Sequence, residues 1–258
     1  MNIRIARAGS VATVTLCRPE VRNAFDDTLI ADLDDAFRDL GAEPGVRAIV
    51  LAAEGPAFCA GADLHWMRRM AGYSRDENLA DAGKLAAMLR TIAECPKPTI
   101  ARVQGDVYAG GMGLVAACDI AVAADTAGFC LSEVKIGLVP ATISPYVLRA
   151  MGTRAAQRYF LTAERFDAAE AHRIGFVHAV VAADALDATV DGWLRALTGA
   201  SPAAVGACKR LIADVAGRPV DDALVAHTVE GIADIRASDE GREGVQAFLQ
   251  KRKPSWLG

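Results

Sequence analysis

Two short segments carry the residue types best suited to chemistry: "FCAGADL" (58–64) and "YAGGMGL" (108–114). Each follows an apolar, strand-like run, "VRAIVLAAE" and "TIARVQG", and each leads into residues that read as a helix. Glycine admits close backbone approach and left-handed dihedrals. The first N–H groups of a helix have no internal acceptor and carry the positive end of its dipole. Two such helix starts converging present two N–H donors to one oxygen that is gaining negative charge. That is an oxyanion hole, worth about 3–4 kcal/mol per donor. The same glycines serve equally well to let helices pack on strands, and spacing alone does not separate the two readings. A third reading is the G-x-G-x-x-A pattern of "GMGLVA" (Gly111–Ala116), a dinucleotide fingerprint. It fits poorly: its helix is too short and the next strand follows almost at once. The acidic residue that belongs about 20 positions on falls near Ser132–Glu133, past that strand.

The elements that must position these loops alternate along the chain. "VATVTL" (Val11–Leu16) is β-branched and alternating, a strand. "DDTLIADLDDAFRDL" has helical spacing, with Gly41 expected to end it. "VRAIVLAAE", "TIARVQG" and "IAVAAD" read as buried strands, "ENLADAGKLAAMLRTIAEC" as a helix stopped by "PKP", and "GGMGLVAACD" as a short helix. This α/β alternation runs to about Asp125. After Val181 the pattern is helical to the final "SDEGREGVQAFLQKRKPSW". The expected organisation is an α/β core over 1–195 and a C-terminal helical region over 196–258.

With 258 residues, 52% hydrophobic and 23% charged, the chain supports one large core and hints at buried subunit interfaces. A formal charge of -4 argues against nucleic acid as a partner. No apolar run is long enough to span a membrane. The six cysteines show no metal-ligand spacing, and Cys59, Cys118 and Cys130 sit in apolar runs as small hydrophobes. A reducing cytoplasm fits this usage, and no signal peptide and no metal are expected.

"GPAFCAGADL" together with "GGMGLVAACDIAVAADTAGFCLSEVKIGLVP" resembles the crotonase, or enoyl-CoA hydratase/isomerase, superfamily. "LCRPEVRNAF" and the tail "FLQKRKPSW" extend the resemblance over essentially the whole chain. It implies a ββα spiral core followed by a helical trimerisation region. It implies an acyl-CoA substrate, no further cofactor, and a homotrimer or dimer of trimers. By the resemblance, the N–H groups of Ala62 and Gly110 hold the thioester oxygen. Arg22, Ala24, Ala60, Asp63 and Leu64 line the CoA moiety, largely through backbone groups. Lys251 reaches the CoA phosphates of a neighbouring subunit. His65, Trp66 and Tyr108 are the expected lining of the acyl pocket.

Hydratases of this family use two glutamates. One lies three residues after the oxyanion glycine and the other twenty residues further on. The second position is Glu133, the implied acid/base; the first is Gly113. The alternative for Glu133 is an ion pair with Lys135 or Arg149. A finer resemblance, through "ADLHWM", "LTAERFD" and the run from Gly113 to Gly152, is to the bacterial branch assigned to 3-methylglutaconyl-CoA and γ-carboxygeranoyl-CoA hydratases. That branch also carries glycine at this position, which implies space for a larger or carboxylated acyl group. The expected function is hydration of a 2-enoyl-CoA. The alternatives are a Δ3,Δ2-enoyl-CoA isomerase using Glu133 as its single base, and a non-catalytic CoA- or RNA-binding relative.

Overall fold

The computed structural model describes residues 2–257. Ten strands and ten helices follow one another as β1 (Ile3–Ala8), β2 (Val11–Leu16), α1 (Asp27–Ala42), β3 (Ala48–Ala53), β4 (Ala57–Cys59), α2 (Leu64–Met70), α3 (Arg75–Ala93), β5 (Thr99–Val103), β6 (Asp106–Tyr108), α4 (Gly110–Ala117), β7 (Ile120–Ala124), β8 (Gly128–Cys130), α5 (Ser144–Thr162), β9 (Phe166–Asp167), α6 (Ala168–Arg173), β10 (Ala179–Val181), α7 (Leu186–Gly199), α8 (Pro202–Val215), α9 (Asp222–Ala237) and α10 (Asp239–Leu249). The alternation foreseen from the sequence is therefore an α/β fold.

Its logic is a repeated turn of strand, strand, helix. β3, β5 and β7 lie in one sheet, ordered β1-β2-β3-β5-β7-β10. After a short turn each continues into β4, β6 or β8 of a second sheet, ordered β4-β6-β8-β9. β3, β5 and β7 pair in parallel, as do β4, β6 and β8. Every residue of β3 is buried, as expected where a parallel sheet is covered on both faces. One face meets the main core, to which α1, α3, α4 and α5 contribute Leu33, Phe37, Leu89, Met112 and Val147. The other meets Leu186 and Val190 of α7. The crossovers put the loops after β4, β6 and β8 side by side, because those three strands are neighbours.

One reading of the sequence changes here. Gly41 does not stop α1; the helix continues to Ala42. Gly41 is instead a packing residue, since a Cβ there would lie 3.2 Å from Pro96 Cδ and 3.3 Å from Cys95 Sγ. α7 is continuous across residue 195 and packs on the first sheet. The helices that follow are fastened to the starts of the sheet strands. Lys209 of α8 donates to Asp119 (2.7 Å) and to Lys97 O (3.2 Å), and Asp119 also accepts from Thr99 N–H (2.8 Å). Arg47, just before β3, holds the Ala200 and Trp256 carbonyls. α8, α9 and α10 leave a series of apolar side chains exposed, among them Ile212, Val229, Ile232, Val245 and Phe248.

Candidate active site

The loop after β4 is set by Arg18 and Asn23, two residues of "LCRPEVRNAF" to which the sequence reading assigned no role. Asn23 is fully buried and left-handed (φ 54°). Its amide donates to Glu54 O (2.7 Å) and Ala57 O (2.9 Å) and accepts from Arg18 N–H (2.9 Å). The Arg18 guanidinium donates to Ala24 O (2.9 Å) and pairs with Asp26 (3.0 Å) and Asp63 (3.1 Å). So held, residues 22–25 pair with 60–63. Ala60 N–H donates to Arg22 O (3.0 Å), Phe25 N–H to Gly61 O (2.8 Å) and Asp63 N–H to Phe25 O (2.9 Å). In such a parallel bridge the residue opposite Phe25, which is Ala62, turns its own N–H to the other side. Among the described residues, the Ala62 N–H has no acceptor.

That amide is not part of a helix start, contrary to the two-helix picture. α2 begins at Leu64, and its first free N–H groups, His65 and Trp66, are taken by the Asp63 carboxylate. The second loop does conform. α4 begins at Gly110, its N-cap Ala109 offers no side chain, and the Gly110 N–H has no acceptor among the described residues. Ala109 itself has φ 47° and ψ -120°, a conformation held in place by its surroundings rather than preferred. The two loops touch: a Cβ on Gly61 would lie 3.0 Å from Ala109 Cβ and 3.6 Å from Gly110 N. Gly111 carries no side chain because one would press on Cys59 O at 2.7 Å. The backbone is bare for two reasons: glycine is needed for packing at Gly111, and open N–H groups remain at Ala62 and Gly110.

Glu133 opens a short 3-10 helix, Glu133–Ile136, three residues past the end of β8. Since Cys130 is in register with Tyr108, and Ala109 N–H donates to Cys130 O (2.8 Å), this turn lies beside the start of α4. Glu133 is half-buried, and its Oε2, shielded from solvent, has no hydrogen-bond partner among the described residues. Burial pushes its pKa above the ordinary 4.5, opposed only by a hydrogen bond to its own backbone. Among the described residues Glu133 forms no salt bridge to Lys135 or Arg149; Arg149 lies over the Tyr146 ring instead. The buried cysteines nearby are inert small hydrophobes, the Cys59 thiol being pushed up to about 12 by burial.

Gly113 does not open a space. A Cβ there would overlap Ile143 Cγ2, lie 2.8 Å from Ile143 Cβ and 3.5 Å from Leu89 Cδ2. The room that a larger or carboxylated acyl group was expected to use is filled by Ile143, at the start of α5, and by Leu89. Trp66 also departs from its expected place. It is 3% exposed, packs 5.9 Å from the Phe25 ring and donates its indole N–H to Asp81 (3.2 Å), so it ties α2 to α3 within the core. His65 is exposed on α2, 3.4 Å from the Arg68 guanidinium. Tyr108 is half-buried beside the second loop.

Of the expected CoA-lining residues, Ala24 and Asp63 have their peptide groups already bonded within the protein, and the Asp63 carboxylate serves α2 and Arg18. They belong to the frame. Ala60 is half-buried, and Arg22 and Leu64 are exposed at the same edge. Lys251, left-handed and exposed after α10, lies within five residues of Trp256, whose carbonyl is held by Arg47 at the start of β3. Within one chain it does not join the two loops. No group of three or more side chains suited to hold a metal occurs among the described residues.

Two outcomes follow from this geometry. Because the folded pKa of Glu133 is raised, the stability it contributes is complete below pH 4.5 and is lost as the pH rises through the folded value. Glu133→Gln therefore unfolds with the wild type at pH 4 but melts a few degrees higher at pH 8, read by thermal denaturation across pH. Equal melting temperatures at pH 8 would contradict this. Gly113→Glu lowers stability by about 2–3 kcal/mol through overpacking. In combination with Ile143→Ala the cost is smaller than the sum of the two single variants; additive costs in urea unfolding would show that Ile143 does not fill that space.

The matches to known proteins span the same fold and loops. The profile of the family "Enoyl-CoA hydratase/isomerase" matches residues 6–258. An enoyl-CoA hydratase of Alternaria alternata is 36% identical over 250 residues, covering 95% of this chain and 80% of the relative. The crystal structure of an enoyl-CoA hydratase from Shewanella pealeana is 43% identical with a TM-score of 0.97, covering 99% of this chain and 96% of that one. That of an enoyl-CoA hydratase from Mycobacterium smegmatis is 35% identical with a TM-score of 0.94 over the full length of both. With its two open-amide loops and its ββα spiral, the chain belongs to the enoyl-CoA hydratase/isomerase, or crotonase, family.

Proposed function

We propose that the protein is a lyase that adds water to a 2-enoyl-CoA through an enolate, or runs the reverse elimination. One observation carries the reading: a buried carboxylate with an unpartnered oxygen, Glu133, beside a loop pair with two unpartnered N–H groups, Ala62 and Gly110. The amides donate to the thioester oxygen, and those bonds strengthen as charge builds there. Glu133, ionised, takes a proton from water as the water oxygen bonds to Cβ. The π pair of the double bond moves onto the thioester oxygen. The enolate then collapses, and Cα takes the same proton back from Glu133. A single carboxylate delivers oxygen and proton from one face, so addition is syn. A pKa raised by burial brings Glu133 toward the operating pH, where one group serves as both base and acid. Arg22, Ala60 and Leu64 are the members of the CoA-lining set with open groups or surface.

A second reading is favoured by Ile143. With the position of the first glutamate filled by a hydrocarbon, the site has the equipment for Δ3,Δ2 isomerisation, in which one base moves a proton from Cα to Cγ and no water is activated. A non-catalytic CoA- or RNA-binding role fits less well. An unpaired buried carboxylate is costly to keep in a protein that transfers no proton, and the chain is acidic. For the acyl group, 3-methylglutaconyl-CoA is the first substrate to test, on the strength of the segmental resemblance alone, since Gly113 offers no extra room. The exposed apolar residues of α8, α9 and α10 support assembly into a homotrimer or dimer of trimers, in which Lys251 could approach a neighbour's CoA. Free cysteines throughout the chain support a cytoplasmic setting.

Incubation of 3-methylglutaconyl-CoA and crotonyl-CoA with the protein in ¹⁸O-water, read by mass spectrometry, tests the reaction. The hydratase reading requires label at Cβ and a loss on the order of 10²–10⁴-fold in Glu133→Gln. Double-bond migration without label would give the isomerase reading, and wild-type turnover by Glu133→Gln would sink both. Sedimentation equilibrium should give a multiple of three chains; a monomer would contradict the assembly.

A further inference from the structure

We infer that Phe25 is the positioning residue of the oxyanion pair: it fixes the separation of the Ala62 and Gly110 amides. The inference rests on the reading that those two N–H groups hold the thioester oxygen. Phe25 touches both loops by different means. Its peptide N–H and C=O bond Gly61 O and Asp63 N–H, at 2.8 and 2.9 Å, and so determine which way the intervening Ala62 N–H points. Its ring lies flush against the start of α4. A Cβ placed on Gly110 would overlap Cζ of that ring and sit 2.8 Å from Cε1 and 3.4 Å from Cε2. One residue therefore holds one donor by its backbone and spaces the other by its side chain.

The ring has no freedom to swing. Phe25 is 2% exposed, with the Trp66 ring 5.9 Å away and tilted at 54°. Trp66 is itself tied by its bond to Asp81. Below, Arg18 and Asn23 clamp the backbone on either side, through Ala24 O, Asp26 and Asp63 in one case and Glu54 O and Ala57 O in the other. The loops meet directly at Gly61 and Ala109 and are kept apart at Phe25 and Gly110. A contact and a spacer together define both the distance and the angle between the loops. A phenyl ring suits the second part because it has only two side-chain torsions and a rigid length. Gly110 has to be glycine for the ring to lie that close.

The consequence is kinetic rather than one of affinity. Donors must be aimed at the place the developing oxyanion will occupy, and a displacement of about 1 Å costs on the order of 10²-fold in rate. Phe25→Leu and Phe25→Met, which shorten or soften the spacer, should lower kcat by that order while leaving KM for the enoyl-CoA nearly unchanged. Gly110→Ala should damage turnover on its own and recover part of it when combined with Phe25→Leu, since the overlap is then relieved.

The decisive readout is the carbonyl stretch of crotonyl-CoA, ¹³C-labelled at the thioester carbon, bound to the Glu133→Gln protein and measured by difference infrared spectroscopy. The Glu133→Gln protein should move that band to lower wavenumber. Adding Phe25→Leu or Phe25→Met should remove at least half of the shift with binding retained. Leu33→Ala, a core truncation in α1, should lower stability and leave the shift intact. A full shift in whichever Phe25 variant folds would overturn the inference. No shift in Glu133→Gln itself would overturn the oxyanion reading on which it rests.

Discussion

The pairing of residues 22–25 with residues 60–63 is the interaction on which the rest of the site depends. It consists of three backbone hydrogen bonds between segments nearly forty residues apart. Its geometry leaves the N–H of Ala62 facing outward because the peptides on either side of it are engaged. Nothing in residues 58–64 alone determines that direction. The partly buried Arg18 and the buried Asn23 brace the pairing, Arg18 through Ala24 O, Asp26 and Asp63 and Asn23 through Glu54 O and Ala57 O. Both carboxylates, Asp26 and Asp63, also cap α1 and α2, so one arginine ties two helix starts to the loop.

Against this fixed frame, the site contains one group under electrostatic strain. Glu133 is withdrawn from water without a compensating donor on Oε2. Folding alone would favour a neutral or apolar residue there, which is why the carboxylate reads as retained for proton transfer. The neighbouring position that could have shared the work is closed by Ile143 packing on Gly113. The proposed reaction accordingly relies on one carboxylate and two amides acting together.

Much of this was legible in the sequence because it is local. The two glycine loops, the apolar strands before them and the helix at Gly110 each follow from residue types within a dozen positions. What was not legible is tertiary. Gly113 looked like an emptied position, but its meaning depends on Ile143, thirty residues on, and on Leu89 of another helix. Gly41 read as a stop signal because a glycine near a helix end usually is one; its contact with Pro96 and Cys95 reverses that. The carboxylate of Asp63 has a structural role of its own, since it caps α2. An aspartate just ahead of "LHWM" is itself a capping signal. The buried Asn23 within "RNAF" is the signal that, weighed sooner, would have pointed to the clamp under the first loop.

The central claim is that two fixed amides stabilise an enolate while Glu133 alone exchanges its proton at Cα. Deuterium exchange into a saturated thioester, butyryl-CoA, tests this without reference to water addition or double-bond migration. Followed by NMR in heavy water, the protein should wash one deuterium, at a single prochiral position, into Cα, and Glu133→Gln should abolish the exchange. Exchange that survives in Glu133→Gln, or that enters both prochiral positions at equal rates, would contradict a single carboxylate acting from one face.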